Sequence, residues 1–254
     1  MNKFYVVGIG YRPLDKKASE AVQISDIILA NKSLLDIFSK YKEYESVKDK
    51  IKVLNGIHET MDYLRTQITT TPLLDTREIS EPEIFKKGDS QTAPTLKTIS
   101  ILAVGDPMFF GIGRVITEAF DKDIVEIFPD LSSVQVAFSR IKETWGDAFL
   151  ISVHGGPDPE NRRKLEYELS DIPSLLLGRN KIAILTDKVN SPIELAKEIM
   201  KPSAISYQLS ALRMYVCEKL GYADEKITKG TPAEISGLSF SYPNVVIIIK
   251  GKDK

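Results

Sequence analysis

A chain of 254 residues, 43% hydrophobic and 27% charged, has an ordinary globular composition that excludes long disorder and is long enough for two domains. Its net charge of −1 excludes a global field that recruits nucleic acid or an anionic membrane, while 34 Lys and Arg against 35 Asp and Glu allow a local basic cleft. A single cysteine, Cys217, excludes an intrachain disulfide and a thiolate metal cage.

The first strand is expected over Phe4 to Val7, closing on Gly8 and Gly10. This run is too short for a signal-peptide core and has no small-residue cleavage site. No stretch approaches the roughly 18 apolar residues of a membrane helix, so the expected setting is the reduced cytoplasm. Ala18 to Ala30 reads as a helix running into a second strand, and Leu34 to Tyr41 as a helix. His58 to Ile68 has the three-and-four spacing of a further helix through Met61, Leu64, Arg65 and Ile68. Between residues 69 and 97 no period survives, and this stretch reads as an excursion because a core strand, Thr98 to Val104, follows at once. Ile112 to Phe120 is expected as a helix and Ile124 to Phe128 as a strand ending on Pro129.

Beyond Pro129 a second set of elements begins, which divides the chain into α/β domains at 1–129 and 130–254. Helices are expected at Ser132 to Ile141, Glu160 to Leu169 and Pro192 to Met200, the last with proline in its first turn. Strands are expected at Phe149 to Val153, Ile182 to Leu185, Arg213 to Cys217 and Val245 to Ile249, the last apolar enough to be central.

Five short stretches have the residues for chemistry. Gly8-Ile9-Gly10 follows a strand, where glycines permit a tight turn and close approach of bare backbone to a ligand; a plain turn has the same look, and no third glycine completes a dinucleotide fingerprint. In ILAVGDPMFFGIG (101–113), Pro107 bars Asp106 from the helical region and bends the chain at a strand's carboxyl end. That is where α/β sheets present ligand loops, and a β-turn is the competing reading. Ser132 and Ser133 in FPDLSSVQVAF either cap the following helix or offer a hydroxyl to a ligand. Thr186 and Asp187 stand at the tip of the strand in ILTDKVNSP, and Cys217 in VCEKLG has no histidine nearby in sequence and reads as an inert buried thiol. The two histidines, His58 and His154, do not make a zinc site with the usual spacing, although His154 in SVHGG sits at a strand end. No phosphate-binding loop and no Gly-x-Ser-x-Gly elbow is present.

Taken together and in this order, VVGIG, VGDPMFFGIGR, PDLSSVQ, VHGG, LTDKVNSP and EKLGYADEKI, followed by the apolar strand after Pro243, resemble the tetrapyrrole methylases, and within them the precorrin branch. The resemblance spans nearly the whole chain except the excursion. It implies two α/β domains with S-adenosylmethionine (SAM) folded into the cleft between them and the substrate in an adjoining trough. It implies methylation of a carbon of a precorrin or cobalt-precorrin macrocycle, at C5, on the way to cobalamin. By position, Gly10, Gly105, Asp106, Phe109, Ser132, Ser133 and Thr186 would line the cofactor pocket. No protein-bound metal is required and no general base is nominated.

The family's Gly-x-Gly-Pro-Gly-Asp reads here as Gly8-Ile9-Gly10-Tyr11-Arg12-Pro13. Tyr11 and Arg12 are therefore substrate candidates, a ring for stacking and a guanidinium for a carboxylate arm, with Arg114 and Arg140 as further cations. Relatives imply a homodimer, and because some carry a fused C15-methylating, decarboxylating domain, that activity is expected here in a separate protein. The competing readings are another precorrin position, a protein substrate of the diphthine type, and a non-catalytic SAM- or tetrapyrrole-binding partner of the C15 enzyme. Near-neutral charge argues against an RNA substrate.

Overall fold

The computed structural model describes residues 3–69, 97–155, 164–201 and 211–251, so the excursion lies almost wholly outside the described residues. The chain divides into two compact units, Met1–Asp130 and Leu131–Lys254. Each is built on its own five-stranded sheet, in keeping with the expected α/β class.

The first unit runs β1 (Lys3–Ile9), α1 (Lys16–Ile24), β2 (Ile27–Ala30), α2 (Lys32–Phe38), α3 (Tyr44–Val47), β3 (Ile51–Val53), α4 (Ile57–Thr69), β4 (Thr98–Val104), α5 (Ile112–Ala119) and β5 (Val125–Phe128). The strands lie in the order β3-β2-β4-β1-β5, all parallel. Helices cover both faces, which explains why the strands read as continuous apolar runs. Tyr5, Val7 and Ile9 pack with Ala18, Val22 and Phe38, while Phe4 and Val6 pack with Met61, Leu64 and Ile116 on the other face. Asp15 caps α1 by accepting from the Ala18 amide at 2.8 Å, so the helix starts two residues before the expected Ala18.

This strand order places the ligand-binding end of the unit. From β1 the chain leaves for β2, and from the adjacent β4 it leaves for β5 in the opposite direction along the sheet. Adjacent strands whose connections run in opposite directions over opposite faces of the sheet open a crevice at their carboxyl ends. The loops that meet there are Gly8–Pro13 and Gly105–Gly111, and the Gly105 amide donates to the Ile9 carbonyl at 2.9 Å.

The second unit runs α6 (Ser133–Ile141), β6 (Phe149–Ser152), α7 (Ile172–Gly178), β7 (Lys181–Leu185), α8 (Pro192–Met200), β8 (Leu212–Glu218), β9 (Lys226–Gly230), α9 (Pro232–Ser236) and β10 (Asn244–Lys250). Its sheet is mixed, in the order β6-β7-β10-β8-β9, with β10 central as its sequence suggested and antiparallel to both neighbours. Ile182, Ile184, Met214, Val216, Val246 and Ile248 of this sheet form one core with Leu176, Leu195, Ile199 and Ile235 of the helices.

One expected element is corrected. Residues 156–163 lie outside the described residues, but Lys164–Glu168 are not helical, so no helix runs on to Leu169. Leu165, Tyr167 and Leu169 pack against the core at every second position, an extended rather than a helical spacing. The helix comes afterwards as α7, with proline in its first turn.

Candidate functional site

In the first unit the crevice is built from two crossing loops. A Cβ on Gly8 would stand 2.1 Å from the Gly105 carbonyl oxygen and 2.6 Å from the Asp130 amide nitrogen, so three segments meet at a point only glycine can occupy. Gly10 has φ +128°, and its amide donates to the Tyr41 hydroxyl at 2.7 Å. That hydroxyl donates in turn to the Arg12 carbonyl at 2.9 Å. Burial raises the Tyr41 phenol above its ordinary value of 10.0, so it remains a donor through the physiological range.

Asp130 holds the other side of the same loop. Its side chain is only 4% exposed. One carboxylate oxygen accepts from the Tyr11 amide at 2.7 Å and the Arg12 amide at 3.2 Å, and the other accepts from Arg12 Nε at 2.9 Å. The guanidinium of Arg12, half exposed, also reaches the Pro129 carbonyl through Nη2 at 3.4 Å. Arg12 is therefore held by its Nε edge, with its Nη end toward solvent.

The second loop is equally determined. Gly105 turns at φ +66°, and Asp106 Oδ1 accepts from the Met108 amide at 2.8 Å. The Phe109 amide donates to the Asp106 carbonyl at 3.1 Å and the Gly113 amide to the Pro107 carbonyl at 2.9 Å. Pro107 thus bends the strand end as its position implied. Gly111 is needed because a Cβ there would lie 2.6 Å from the Pro107 oxygen. Val104, Met108 and Phe110 are large apolar residues left exposed around this turn.

In the second unit, Ser132 is the cap of α6. Its hydroxyl accepts from the Gln135 amide at 3.2 Å while the Gln135 side chain accepts from the Ser132 amide at 2.9 Å, a reciprocal capping box. Ser133 is the first residue of that helix. Thr186, 4% exposed, follows β7 and donates to the Asn244 side-chain oxygen. Asp187 gathers the amides of Gly155 at 2.7 Å, Val189 at 2.9 Å and Asn190 at 2.7 Å, so it shapes the strand-end loop from within. His154 is exposed beside it. Cys217 is fully buried, and burial pushes its thiol up to about 12, so it is no nucleophile in the folded protein.

The structure therefore brings Gly10, Tyr11, Arg12, Gly105, Asp106 and Phe109 onto two adjoining loops of the first unit. Ser132, Ser133 and Thr186 belong to the second. Arg114 points elsewhere than a free cation would: it pairs with Glu118 one turn along α5 at 3.0 Å, on an exposed face. Arg140 pairs with Glu225 at 2.5 Å. Sequence reasoning missed Asp130 and Tyr41 as the clamps of the first loop. Asp130 had a local signal, standing next to Pro129 at a strand end as Asp106 stands next to Pro107. Tyr41 had none, being 31 residues from its partner Gly10.

Among the described residues no group of acidic, histidine or cysteine side chains is placed to hold a metal ion, and no helix is long and apolar enough to cross a membrane. Comparison with known sequences decides the family: the profile of the tetrapyrrole (corrin/porphyrin) methylases matches residues 3–236. The chain belongs to this family. The methylase is 25% identical over 250 residues, 96% of each chain, to a protein of Methanocaldococcus jannaschii named probable cobalt-precorrin-7 C(5)-methyltransferase. Its fold matches that of a precorrin-6Y methylase of Archaeoglobus fulgidus, with a TM-score of 0.60, 20% identity and coverage of 100% and 99% of the two chains. It also matches a uroporphyrin-III C-methyltransferase of Thermus thermophilus solved with S-adenosylhomocysteine, with a TM-score of 0.59, 16% identity and coverage of 97% and 92%.

The methylase is a SAM-dependent methyltransferase, and the residues of its first unit fit that cofactor. Asp106 Oδ2 has no partner among the described residues, leaving an acceptor for an ammonium or hydroxyl. Gly10 and Gly105 present backbone with no Cβ, and the exposed Val104 and Met108 offer apolar contact to a ligand that is part sulfonium and part flat ring.

Proposed function

We propose that this methylase transfers a methyl group from SAM to C5 of a cobalt-precorrin-7-type macrocycle in cobalamin synthesis. The observation that carries the reading is a match along nearly the entire chain to a relative named for that reaction. The site supports it independently, because an apolar strand-end surface adjoins a loop that presents a guanidinium, and the substrate is a flat ring with carboxylate arms.

When bound, SAM supplies a methyl group on a sulfonium, which the electron-rich macrocycle carbon takes up as the sulfur–methyl bond breaks and S-adenosylhomocysteine departs. The residues of the chain supply position and exclusion of water. Asp106 offers its uncommitted carboxylate oxygen to a cofactor amine or hydroxyl. Val104 and Met108 keep the reacting region apolar. Arg12, oriented by Asp130, offers two Nη donors to a substrate carboxylate. Gly10, Gly105 and Phe109 of the first unit, with Ser132, Ser133 and Thr186 of the second, complete the proposed cofactor contacts, and Tyr11 is proposed as a substrate contact. The family resemblance also supports a homodimer in the cytoplasm; sedimentation of the purified protein tests the former.

The deciding experiment is mass spectrometry of the purified protein with SAM and the C15-methylated, decarboxylated precursor, with and without cobalt. A gain of one methyl mass on the macrocycle is expected. No gain, with SAM binding intact by calorimetry, would assign the chain another substrate or a binding role only.

A further inference from the structure

Phe110 is held in a backbone conformation that bulky side chains avoid. Its φ is +53°, in the left-handed region where a Cβ crowds the following carbonyl. The two other non-glycine residues with positive φ among those described are lysines, and Lys142 is explained as the left-handed cap of α6. A glycine at position 110 would remove the strain. The adjacent Gly111 does not, because its φ is −104° and its lack of a Cβ serves the close approach to Pro107. The strain therefore falls on an aromatic residue.

The ring remains partly open to solvent. It is 39% exposed and touches Phe109 edge-on at a centroid distance of 4.9 Å. Hydrogen bonds at Met108, Phe109 and Gly113 fix the backbone on both sides, so the direction of the ring is set by the turn. Met108 and Val104 are 46% and 48% exposed beside it in the same strand-end segment. Val104 also adjoins the first loop, since a Cβ on Gly10 would come within 4.0 Å of it. Strain that yields an exposed ring at a strand's carboxyl end is the arrangement expected of a ligand contact.

We propose that Phe110 is a specificity-determining residue: its ring, turned outward by the left-handed backbone, stacks on the apolar face of the tetrapyrrole substrate. The proposal rests on the methyl-transfer reading above and names the side chain that selects its substrate. The macrocycle is favoured over the adenine of SAM because the apolar surface adjoins the loop of Arg12, whose guanidinium suits the carboxylates that fringe a tetrapyrrole.

Full-length Phe110→Gly and Phe110→Tyr test this by three readouts: thermal melting, SAM affinity by calorimetry, and kcat and KM for the macrocycle. Phe110→Gly is expected to melt at or above the wild-type temperature, to keep its SAM Kd within about twofold, and to raise the macrocycle KM about tenfold, the scale of one lost aromatic partner. Phe110→Tyr is expected to keep the wild-type KM. An unchanged KM in Phe110→Gly overturns the proposal, as does a melting temperature lowered by several degrees, which would make the ring a packing element. A rise confined to the SAM Kd overturns it by assigning the ring to the cofactor. Wild-type turnover with a normal Phe110→Gly KM defeats the proposal alone, whereas absence of wild-type turnover defeats the methyl-transfer reading as well.

Discussion

Replacing Asp130 with alanine removes the acceptor for three donors of the first loop at once: the amides of Tyr11 and Arg12, and Arg12 Nε. Hydrogen bonds to a charged group contribute roughly 1.5–3 kcal/mol each when fully buried. Here the loop is partly exposed and water takes over part of the loss. The Arg12 ion pair, with its cation 54% exposed, counts for only about 0.5–1 kcal/mol. The two backbone donors add about 1 kcal/mol each, for a total near 2.5–3 kcal/mol and a melting temperature lowered by roughly 5–12 °C in a protein of this size. Arg12→Ala loses the ion pair with its Nε bond and the long, exposed 3.4 Å contact to the Pro129 carbonyl, so its loss should stay near 1 kcal/mol. Asp130→Asn keeps one acceptor but turns an amide donor toward a donor, and should fall between the two. Scanning calorimetry of the three variants measures this order. If Asp130→Ala melts no lower than Arg12→Ala, the carboxylate does not organise the loop through its backbone, and the clamp is wrong.

Four further outcomes follow from single positions. Gly8→Ala should lower the yield of folded protein sharply, by more than about 3 kcal/mol of stability, because the new methyl meets backbone atoms of Gly105 and Asp130 that have nowhere to go; a soluble variant with wild-type melting would contradict that geometry. Asp106→Asn preserves the acceptor for the Met108 amide but loses the charge, so the SAM Kd should rise about tenfold while the melting temperature barely changes; equal affinity by calorimetry removes Asp106 from the site. Asp26 is held below its ordinary value of 3.8, chiefly by the Thr98 amide, so its contribution is complete above that value and is lost as pH falls through the lowered one. The melting advantage of wild type over Asp26→Ala should therefore be constant near neutrality and shrink only in acid below 3.8, and an advantage that grew with acid would refute the assignment. Cys217, with its thiol pushed up to about 12, should ignore a thiol reagent at mildly alkaline pH until the protein is denatured, after which one equivalent reacts.

How much of this was readable in the residues depended on sequence distance. β4 and α8 are found at Thr98–Val104 and Pro192–Met200 as the pattern indicated, because a buried strand bounded by Gly105 and a helix opened by Ser191-Pro192 carry their own punctuation. β9 escaped notice because its burial is that of an edge ribbon, with Lys226 and Lys229 outward. α9 did have a signal, Thr231-Pro232-Ala233-Glu234, a capping box with proline in the first turn, and its shortness hid it. The candidate site divides the same way. The bend at Pro107 and the cap at Ser132 are local and were visible. The carboxylate of Asp130 acts across 118 and 119 residues on Arg12 and Tyr11, and nothing near either position announces the pairing. The left-handed Phe110 was equally hidden, because a strained conformation leaves no mark when the residue that adopts it is not glycine.

The central position of β10 has a consequence for synthesis. Among the described residues β7 and β8 share no ladder; each bonds to β10, so there the halves of the second sheet join through a strand spanning Asn244–Lys250. The first sheet, by contrast, is complete once Phe128 has been made. At about 5–20 residues per second the ribosome needs roughly 6–25 s more to deliver the second unit's keystone. From the making of Leu185, roughly 3–13 s before Lys250 at the same rate, the β7 residues that pair with β10, and later those of β8, stand with open backbone edges in the nascent chain. In that window the second unit is exposed to faulty pairing, and a chaperone has most to protect.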